Sequence, residues 1–244
     1  MKTKLKIVIV GVGGVGGRLL LEVARFCQYQ SGFETQITAI DGDSFEIKNA
    51  DRQFFAQMGN KAAVKIDECV ALFDRVSFTP VAEFLKPDNI EFYIEDGDGS
   101  KEISIVFVCV DNHVTRRLID EFVGTLQNVV LINGGNKLVD GNVQICIRQN
   151  GQWLTETMSS VHREVAEPKD KSPHQMSCEE MAKTSEPQLS FANLMVTALM
   201  CAAFYDVLQN LGDLDKMVEI AEAFFDLTQM SVVPYSRPAA NIAG

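Results

Sequence analysis

The chain has 244 residues, of which 46% are hydrophobic, and this is enough apolar material for one substantial domain with its own core. Its formal net charge of -11 argues against a nucleic-acid partner, because binding to phosphate backbones relies on clustered Lys and Arg. The six cysteines form no C-x-x-C pair and lie mostly in apolar segments, so we expect no structural zinc and a reducing, cytoplasmic location. We expect no signal peptide, since the first apolar run stops at Gly11.

The first predicted element is a strand from Leu5 to Val10, whose unbroken run of Ile, Val and Leu is typical of burial on both faces. A helix is predicted from about Gly14 to Tyr29. Between strand and helix lies a turn that contains Gly11, Gly13, Gly14 and Gly16. Glycines let the backbone approach a phosphate closely, and the start of a helix points free N–H groups at such an anion. The turn therefore predicts a nucleotide phosphate site.

A second predicted strand, Thr35 to Ile40, ends in Asp41, where an α/β nucleotide site usually places a carboxylate that binds ribose. Glycine loop and acid alone would also suit an NAD domain. The polar series that follows contains Asp43, Asn49, Arg52 and Gln53. A guanidinium in this region suits the β- and γ-phosphates of a triphosphate, which a dinucleotide lacks. The combination favours ATP over NAD.

Asp111 follows a third apolar strand, predicted from Ile103 to Val110, and should lie at the carboxyl edge of the sheet. Mg²⁺ takes one or two carboxylates together with phosphate oxygens and water, so Asp111 is the candidate metal ligand. The alternative is that Asp111 and Asn112 only cap the next helix, predicted from Val114 to Leu126. Between these parts we predict a helix at Lys61 to Leu72 and strands near Ser77 to Val81 and Phe92 to Glu95.

These motifs resemble the ubiquitin-activating-enzyme-like adenylyltransferases that include ThiF, MoeB and HesA. The resemblance rests on the glycine loop, the block Asp41 to Gln53 and the segment Val110 to Arg116, and it covers Lys4 to about Ile147. It implies that the loop cradles phosphates, that Asp41 holds the ribose, and that Asp111 holds Mg²⁺. It also implies that Asn49 and Arg52 contact the polyphosphate.

The family also carries a phosphate-binding lysine, which the resemblance assigns to Lys61, with Lys65 as the competitor one helical turn later. Either lysine could equally be a solvated helix residue. Some homodimeric relatives reach an N-terminal arginine into the partner's site, but residues 1–10 contain none.

The C-terminal half begins with a strand predicted from Val129 to Ile132, which should end in the turn Asn133 to Asn136. Segments Gly141 to Arg148 and Trp153 to Met158 are predicted to pair antiparallel, which would make the sheet mixed. Residues 159–186 form a polar stretch too long for an ordinary connection. In the relatives, such a segment crosses over the active site and guides the substrate tail.

Beyond this stretch we predict a long apolar helix, Phe191 to Leu208, with Ser190 as its N-cap and Gly212 as its stop. Polar residues interrupt it, so a buried core or dimer helix is favoured over a membrane span. A helix from Lys216 to Phe225 and a strand from Met230 to Val233 should follow.

Cys178 lies in the polar stretch, where a nucleophile could receive the activated acyl group as a thioester. The alternative is a structural cysteine, since the neighbouring Glu179 and Glu180 disfavour a thiolate. Together with the Pro187-Gln188 pair and Asn193, Cys178 makes the C-terminal half resemble the ThiF-related proteins of PRTRC cassettes.

The expected fold is an α/β, Rossmann-like domain with a mixed, mostly parallel sheet and helices on both faces. It would be a single adenylation domain: a nucleotide-binding core at 1–158, a crossover-type loop at 159–186 and C-terminal elements at 187–244. The resemblance implies that the protein adenylates the C-terminal carboxylate of a small ubiquitin-like, β-grasp protein ending in glycine. By analogy, it would act as a homodimer with ATP and Mg²⁺. A scaffold without turnover and an NAD(P)-linked oxidoreductase remain alternatives.

Overall fold

The computed structural model describes residues 2–99, 101–171, 188–211 and 219–237. The strands are β1 Thr3–Val10, β2 Phe33–Ile40, β3 Ser44–Phe45, β4 Gly59–Asn60, β5 Val76–Val81, β6 Glu102–Val108, β7 Val129–Asn136, β8 Asp140–Gln149, β9 Gln152–Trp153, β10 Glu222–Asp226 and β11 Ser231–Tyr235. The helices are α1 Gly16–Gln28, α2 Lys61–Val70, α3 His113–Val123, α4 Met158–Val161, α5 Arg163–Ala166 and α6 Ser190–Gln209.

One nine-stranded sheet organises the fold, in the order β11-β10-β8-β7-β6-β1-β2-β5, with β9 paired to β8. Strands β5, β2, β1, β6 and β7 are parallel, and β8, β10 and β11 add antiparallel pairs at one end. Val10 is in register with Ile40 of β2 and with Val108 of β6, so these three strands end side by side. The expectation of a mixed, mostly parallel sheet is confirmed.

Helices cover both faces of the sheet, as expected. Buried residues of α1, α2 and α6 form one core with inward side chains of the strands. The opposite core contains Ile119 and Val123 of α3, Met158 of α4 and Val165 of α5. Because parallel strands are buried on both faces, β1 and β6 read as nearly continuous apolar runs.

The prediction of a strand at Phe92 to Glu95 is wrong. The segment instead contains a 3₁₀ turn, Ile90–Phe92. The side chain of Asn89 fixes this turn by accepting from the N–H of Lys86 and donating to the carbonyl of Phe84. A local hydrogen bond of this kind gives the backbone an alternative to strand pairing.

The prediction of a helix from Lys216 to Phe225 is wrong where the structure describes this segment, since Glu222–Asp226 is strand β10. Strand β8 would otherwise leave an unpaired edge, and β10 pairs with it over five residues. This pairing outweighs the helical tendency of the segment. The strand β7 also continues through Asn136 and does not stop at a turn after Ile132, because it pairs with β8 as far as Gly141.

The polar stretch predicted from residue 159 begins with the ordered helices α4 and α5, while its later part lies outside the described residues. Met158 starts α4, so the predicted strand Trp153 to Met158 shrinks to β9, which pairs antiparallel with β8 as expected. Helix α6 is long and apolar enough to cross a membrane by length and composition, but half of that window is buried inside the protein.

Candidate nucleotide site

The glycine loop joins β1 to α1 and requires glycine at two positions. Gly11 has a φ of +87°, a left-handed conformation that L side chains rarely adopt. A Cβ on Gly16 would lie 1.8 Å from the carbonyl oxygen of Gly11. Within the described residues, the N–H groups of Gly13 and Gly14 donate to no backbone carbonyl or side chain. The loop therefore presents free donors at the start of a helix, as an anion site does.

Asp41 braces this loop from the end of β2. One of its carboxylate oxygens accepts the N–H of Val12 at 2.7 Å, and the other accepts the N–H of Asp43 at 2.8 Å. Burial raises the pKa of Asp41 above its ordinary value, although the nearby Lys61 ammonium opposes that rise. Each oxygen keeps a second acceptor position, so the predicted bond to ribose hydroxyls remains compatible with this bracing role.

Lys61 is the first residue of α2 and is 7% exposed. Its Nζ lies 3.0 Å from a carboxylate oxygen of Asp43. Burial lowers the pKa of Lys61, but the surrounding carboxylates of Asp41, Asp43 and Asp111 raise it above the ordinary value. A cation at a helix N-terminus opposes the helix dipole, so these carboxylates are what keep a charged lysine there.

Asn60 fixes the start of α2, where Lys61 lies, and the sequence motifs did not predict this role. The Asn60 side chain caps α2 by accepting the N–H of Ala63 at 3.0 Å. Its Nδ2 donates to the main-chain oxygens of Asp41 and Asp43 at 2.7 and 3.0 Å. The signal was available in the sequence, since Asn is a preferred N-cap residue.

Lys65, the competitor, points elsewhere although it is also buried. Its Nζ lies 2.7 Å from Glu68 and 4.8 Å from the centre of the Phe55 ring. Phe55 stacks on Phe45 at 4.8 Å between centroids, which places Lys65 over a small apolar cluster. The geometry therefore separates the two lysines: Lys61 belongs to the acidic group beside the glycine loop, and Lys65 to a neighbouring packed corner.

Arg52 and Asn49 lie together on the loop that follows β3. The Arg52 guanidinium donates to Asn49 Oδ1 at 2.7 Å and to Asp51 at 3.2 Å, with about a fifth of its side chain exposed. Gln53 lies beside the glycine loop, since a Cβ on Gly13 would be 3.6 Å from its Nε2. The structure thus places the Gln53 amide and the main-chain oxygen of Arg52 beside the glycine loop, while the Arg52 guanidinium rests on Asn49 and Asp51.

Asp111 is exposed beyond the end of β6, which stops at Val108 rather than Val110. The helix α3 is capped by Asn112, whose Oδ1 accepts the N–H of Thr115 at 2.8 Å. Asp111 is therefore free of the capping role that was its alternative. Since hard cations prefer carboxylate oxygens, the exposed Asp111, whose charge also raises the pKa of Lys61, fits Mg²⁺. Within the described residues, no group of three or more His, Cys, Asp or Glu is placed to hold a metal ion.

Arg116 hydrogen-bonds to the segment that precedes Asp111. Its guanidinium donates to the carbonyl of Val110 at 2.8 Å and to that of Gly134 at 3.1 Å, and the residue is 9% exposed. Arg116 therefore ties the segment after β6 to β7 and has a positioning role. Arg18 is similarly occupied, because it donates to Ser190 Oγ at 2.7 Å.

Three predicted residues lie in the C-terminal half. Cys178 lies outside the described residues, so its predicted role stays a prediction. Ser190 does not cap α6, because Leu189 occupies the N-cap position and makes no side-chain cap. Asn193 is fully buried against the glycine loop, where a Cβ on Gly14 would lie 2.3 Å from its Nδ2.

Known proteins resemble this chain in sequence and in fold. The chain is 29% identical over 163 residues to the Nedd8-activating enzyme E1 catalytic subunit of Drosophila melanogaster, covering 60% of this chain and 33% of that protein. The Schizosaccharomyces pombe counterpart is 27% identical over 150 residues, with 58% and 31% covered. This chain therefore matches about a third of the length of these relatives.

Solved structures with the same fold include the microcin C7 biosynthetic enzyme MccB in complex with N-formylated MccA, with a TM-score of 0.68 at 17% identity. Escherichia coli MccB with ATP gives 0.66 at 17% identity, and PaaA gives 0.58 at 20%. Each comparison covers 96% of this chain and 64% of the other. The profile of the ThiF family matches residues 2–241, and the chain accordingly belongs to the ThiF family.

Proposed function

We propose that the protein uses ATP to adenylate a substrate carboxylate, releasing pyrophosphate. The observation that carries this proposal is the buried Lys61 ammonium, which Asp43 holds. Asp41 accepts from the N–H groups of both Val12 and Asp43 and so links this ion pair to the glycine loop, where the N–H groups of Gly13 and Gly14 are free among the described residues. The free N–H groups of the loop and the Lys61 ammonium suit the phosphates of a triphosphate, and the exposed carboxylate of Asp111 suits its metal. Membership of the ThiF family supports the same activity.

In the proposed reaction an oxygen of the substrate carboxylate attacks the α-phosphorus of ATP, and the bond to the β-phosphate oxygen breaks. The products are an acyl adenylate and pyrophosphate. The chain needs no general base, because a carboxylic acid is already ionised at neutral pH. Lys61 and Arg52 would offset the charge that moves onto the leaving pyrophosphate, with Asn49 and Gln53 beside them. The glycine loop would hold the phosphates, and Asp41 the ribose.

Asp111 would hold Mg²⁺, which supplies charge neutralisation on the phosphates when it is bound. The approach of Arg52 needs a rearrangement, since its guanidinium now rests on Asn49 and Asp51. Both partners lie on the same loop as Arg52, and neither bond joins Arg52 to another part of the fold.

We further propose that the substrate is the C-terminal carboxylate of a small ubiquitin-like protein ending in glycine. The relatives named as NEDD8-activating enzyme subunits support a protein substrate of this class. The cytoplasm is the proposed location, and a setting like that of the PRTRC cassettes stays a proposal from resemblance.

The decisive experiment is isotope exchange between pyrophosphate and ATP, run with and without small proteins that end in glycine. Exchange that depends on such a protein supports the proposal and identifies the substrate. MgATP binding without exchange for any tested carboxylate would favour the scaffold alternative. Tight NAD binding with none for ATP, measured by calorimetry, would favour the oxidoreductase.

A transfer step to Cys178 would extend the reaction: its thiolate would attack the acyl carbon, AMP would leave, and a thioester would remain. The wild-type protein with ATP and partner should then form a covalent complex that a thiol reductant dissolves. Cys178→Ala should lose this complex and keep pyrophosphate exchange. Normal exchange without any thiol-labile complex would end the reaction at the adenylate.

The homodimer is proposed on the outward face of α6. This face exposes large apolar side chains on a helix that is otherwise part of the core, namely Phe191, Leu194 and Tyr205. A second copy that buries them would remove apolar surface from water. Sedimentation of the wild type and of Leu194→Glu tests this, and a wild type that is monomeric at micromolar concentration would contradict it.

A further inference from the structure

The first turns of α6 carry a polar stripe that faces the start of α1. Ser190, Asn193 and Thr197 are spaced three and four residues apart and so share one side of the helix. Ser190 Oγ accepts from Arg18 at 2.7 Å. Thr197 Oγ1 lies 2.8 Å from the carbonyl oxygen of Asn193 and 3.4 Å from that of Val15. Both outer members of the stripe therefore have partners.

Asn193, in the middle of the stripe, has none. It is 0% exposed, and neither its Nδ2 nor its Oδ1 makes a hydrogen bond to any described residue. Gln53 Oε1, beside Gly13, is likewise buried and without a partner. Buried amides are nearly always hydrogen-bonded, so an unsatisfied carboxamide next to a phosphate-binding loop calls for a functional explanation.

The surroundings of Gly14 show what Asn193 faces. A Cβ on Gly14 would lie 2.3 Å from Asn193 Nδ2 and 3.2 Å from the main-chain oxygen of Arg52. The amide nitrogen and the carbonyl oxygen therefore both lie close to the point where a Cβ would stand, which Gly14 leaves free. Asn193 is thereby the contact through which α6 reaches the loop that carries the proposed phosphate-binding guanidinium.

We propose that Asn193 is a positioning residue for the nucleotide: when a triphosphate occupies the glycine loop, Asn193 Nδ2 donates to the main-chain oxygen of Arg52. This bond would fix the Arg52 loop while its guanidinium leaves Asn49 and Asp51 for the polyphosphate. The inference rests on the proposed ATP site. It makes α6 a structural link between the C-terminal half and the proposed phosphate site.

The test is Asn193→Leu, which has a similar shape and removes both unsatisfied polar atoms. Without nucleotide, we expect the midpoint of thermal unfolding to stay or rise, because no hydrogen bond is lost. The affinity for MgATP, measured by calorimetry, should fall about 5- to 10-fold, the effect of one hydrogen bond. A purely structural asparagine would give the opposite pattern, a lower midpoint with unchanged affinity. Asn210→Leu, at the residue after α6, is the control: it removes hydrogen bonds to Asp206 and should leave the affinity unchanged.

A double-mutant cycle shows whether Asn193 acts through Arg52. Arg52→Ala should lower MgATP affinity by itself, and adding Asn193→Leu should then cost little more, because the group being positioned is gone. Fully additive losses would overturn the proposal, as would wild-type affinity in Asn193→Leu. If that variant does not fold, Asn193→Ser carries the same cycle. A wild type that binds no MgATP overturns the proposed function itself, whereas a wild type that binds and an equally good variant overturn only this inference.

Discussion

Two clusters of charged and polar side chains in this protein differ in how completely their hydrogen-bonding positions are used. One, the β10 cluster, consists of Glu222, His162, Asn142 and Arg237. The carboxylate of Glu222 is 0% exposed, accepts from Asn142 Nδ2 at 2.9 Å and lies 2.8 Å from His162 Nε2. Arg237 Nε donates to its other oxygen. This cluster ties β10 to β8 and to the segment between α4 and α5.

The other cluster lies at the glycine loop and is left open. Lys61 contacts Asp43, whose side chain is 42% exposed, and Asp111 is exposed beside them. Gln53 and Asn193 hold buried polar atoms without partners. A cluster whose positions are all used stabilises the fold, whereas one that keeps free donors, acceptors and charges is ready for a ligand. From this contrast we assign a structural role to the β10 cluster and a binding role to the cluster at the glycine loop.

The largest effect should come from Asp111→Ala. It removes the proposed metal ligand and no core volume, so pyrophosphate exchange should fall by about 10³-fold or more while the fold stays intact. Circular dichroism and exchange, measured on the same sample, check both parts. Asp67→Ala, which removes an exposed carboxylate from α2, is the control. Exchange within about threefold of wild type for Asp111→Ala would remove Asp111 from the site.

A substitution in the β10 cluster should lower stability rather than nucleotide binding. Glu222→Ala leaves Arg237 and His162 without their carboxylate and should cost about 3–5 kcal/mol of unfolding free energy. Denaturant unfolding measures this loss. MgATP affinity, determined well below the denaturation midpoint, should not change, since none of the nucleotide residues contacts Glu222. A weakened affinity with normal stability would reverse the roles assigned to the two clusters.

The β10 cluster should also make the free energy of unfolding depend on pH. Burial raises the pKa of Glu222, but hydrogen bonds from His162, Asn142 and Arg237 lower it below its ordinary value. A carboxyl group with a lowered native pKa contributes stability above its unfolded pKa of about 4.3 and loses it as pH falls through the folded value. The difference in unfolding free energy between wild type and Glu222→Gln should therefore be constant near pH 7 and shrink below about pH 4. A difference that grows in acid would contradict the lowered pKa.

The two buried lysines of α2 allow a comparison between a residue of the cluster at the glycine loop, Lys61, and a residue beside that cluster, Lys65. Lys61→Met should reduce exchange by about 10²-fold, because it removes a cation aimed at the phosphates. Lys65→Met, one turn later, should leave exchange within a few-fold and act mainly on stability through its lost pairing with Glu68. Equal losses of exchange for both variants, with both folded, would show that the geometry does not separate them.

Much of the open cluster could be predicted from the sequence, because strand, glycine turn and acid follow each other within a few dozen residues. The parallel register then brings Asp41 and Asp111 to one edge. Asn193 could be placed in a helix from its neighbours, but not against Gly14, since that contact joins residues 179 positions apart in the fold. The strand β10 was missed for the same reason: its partner β8 lies about 80 residues earlier, and only that pairing makes Glu222–Asp226 extended.

The smallest effect on stability and on MgATP affinity is expected for a substitution of Gly17, which follows the glycine loop in α1. A Cβ there would lie 3.4 Å from Lys65 Cε and from the carbonyl oxygen of Val12, which are ordinary contacts. Alanine also favours a helix over glycine by up to about 1 kcal/mol. Gly17→Ala should therefore change the unfolding free energy by no more than about 1 kcal/mol in either direction and leave MgATP affinity as in wild type. Gly16→Ala is the contrasting variant, because its Cβ would meet the Gly11 carbonyl oxygen at 1.8 Å and force the loop apart. If both variants bound MgATP equally well, the rigid turn at Gly11 and Gly16 would not be needed for the nucleotide, and the loop would have to bind in another conformation.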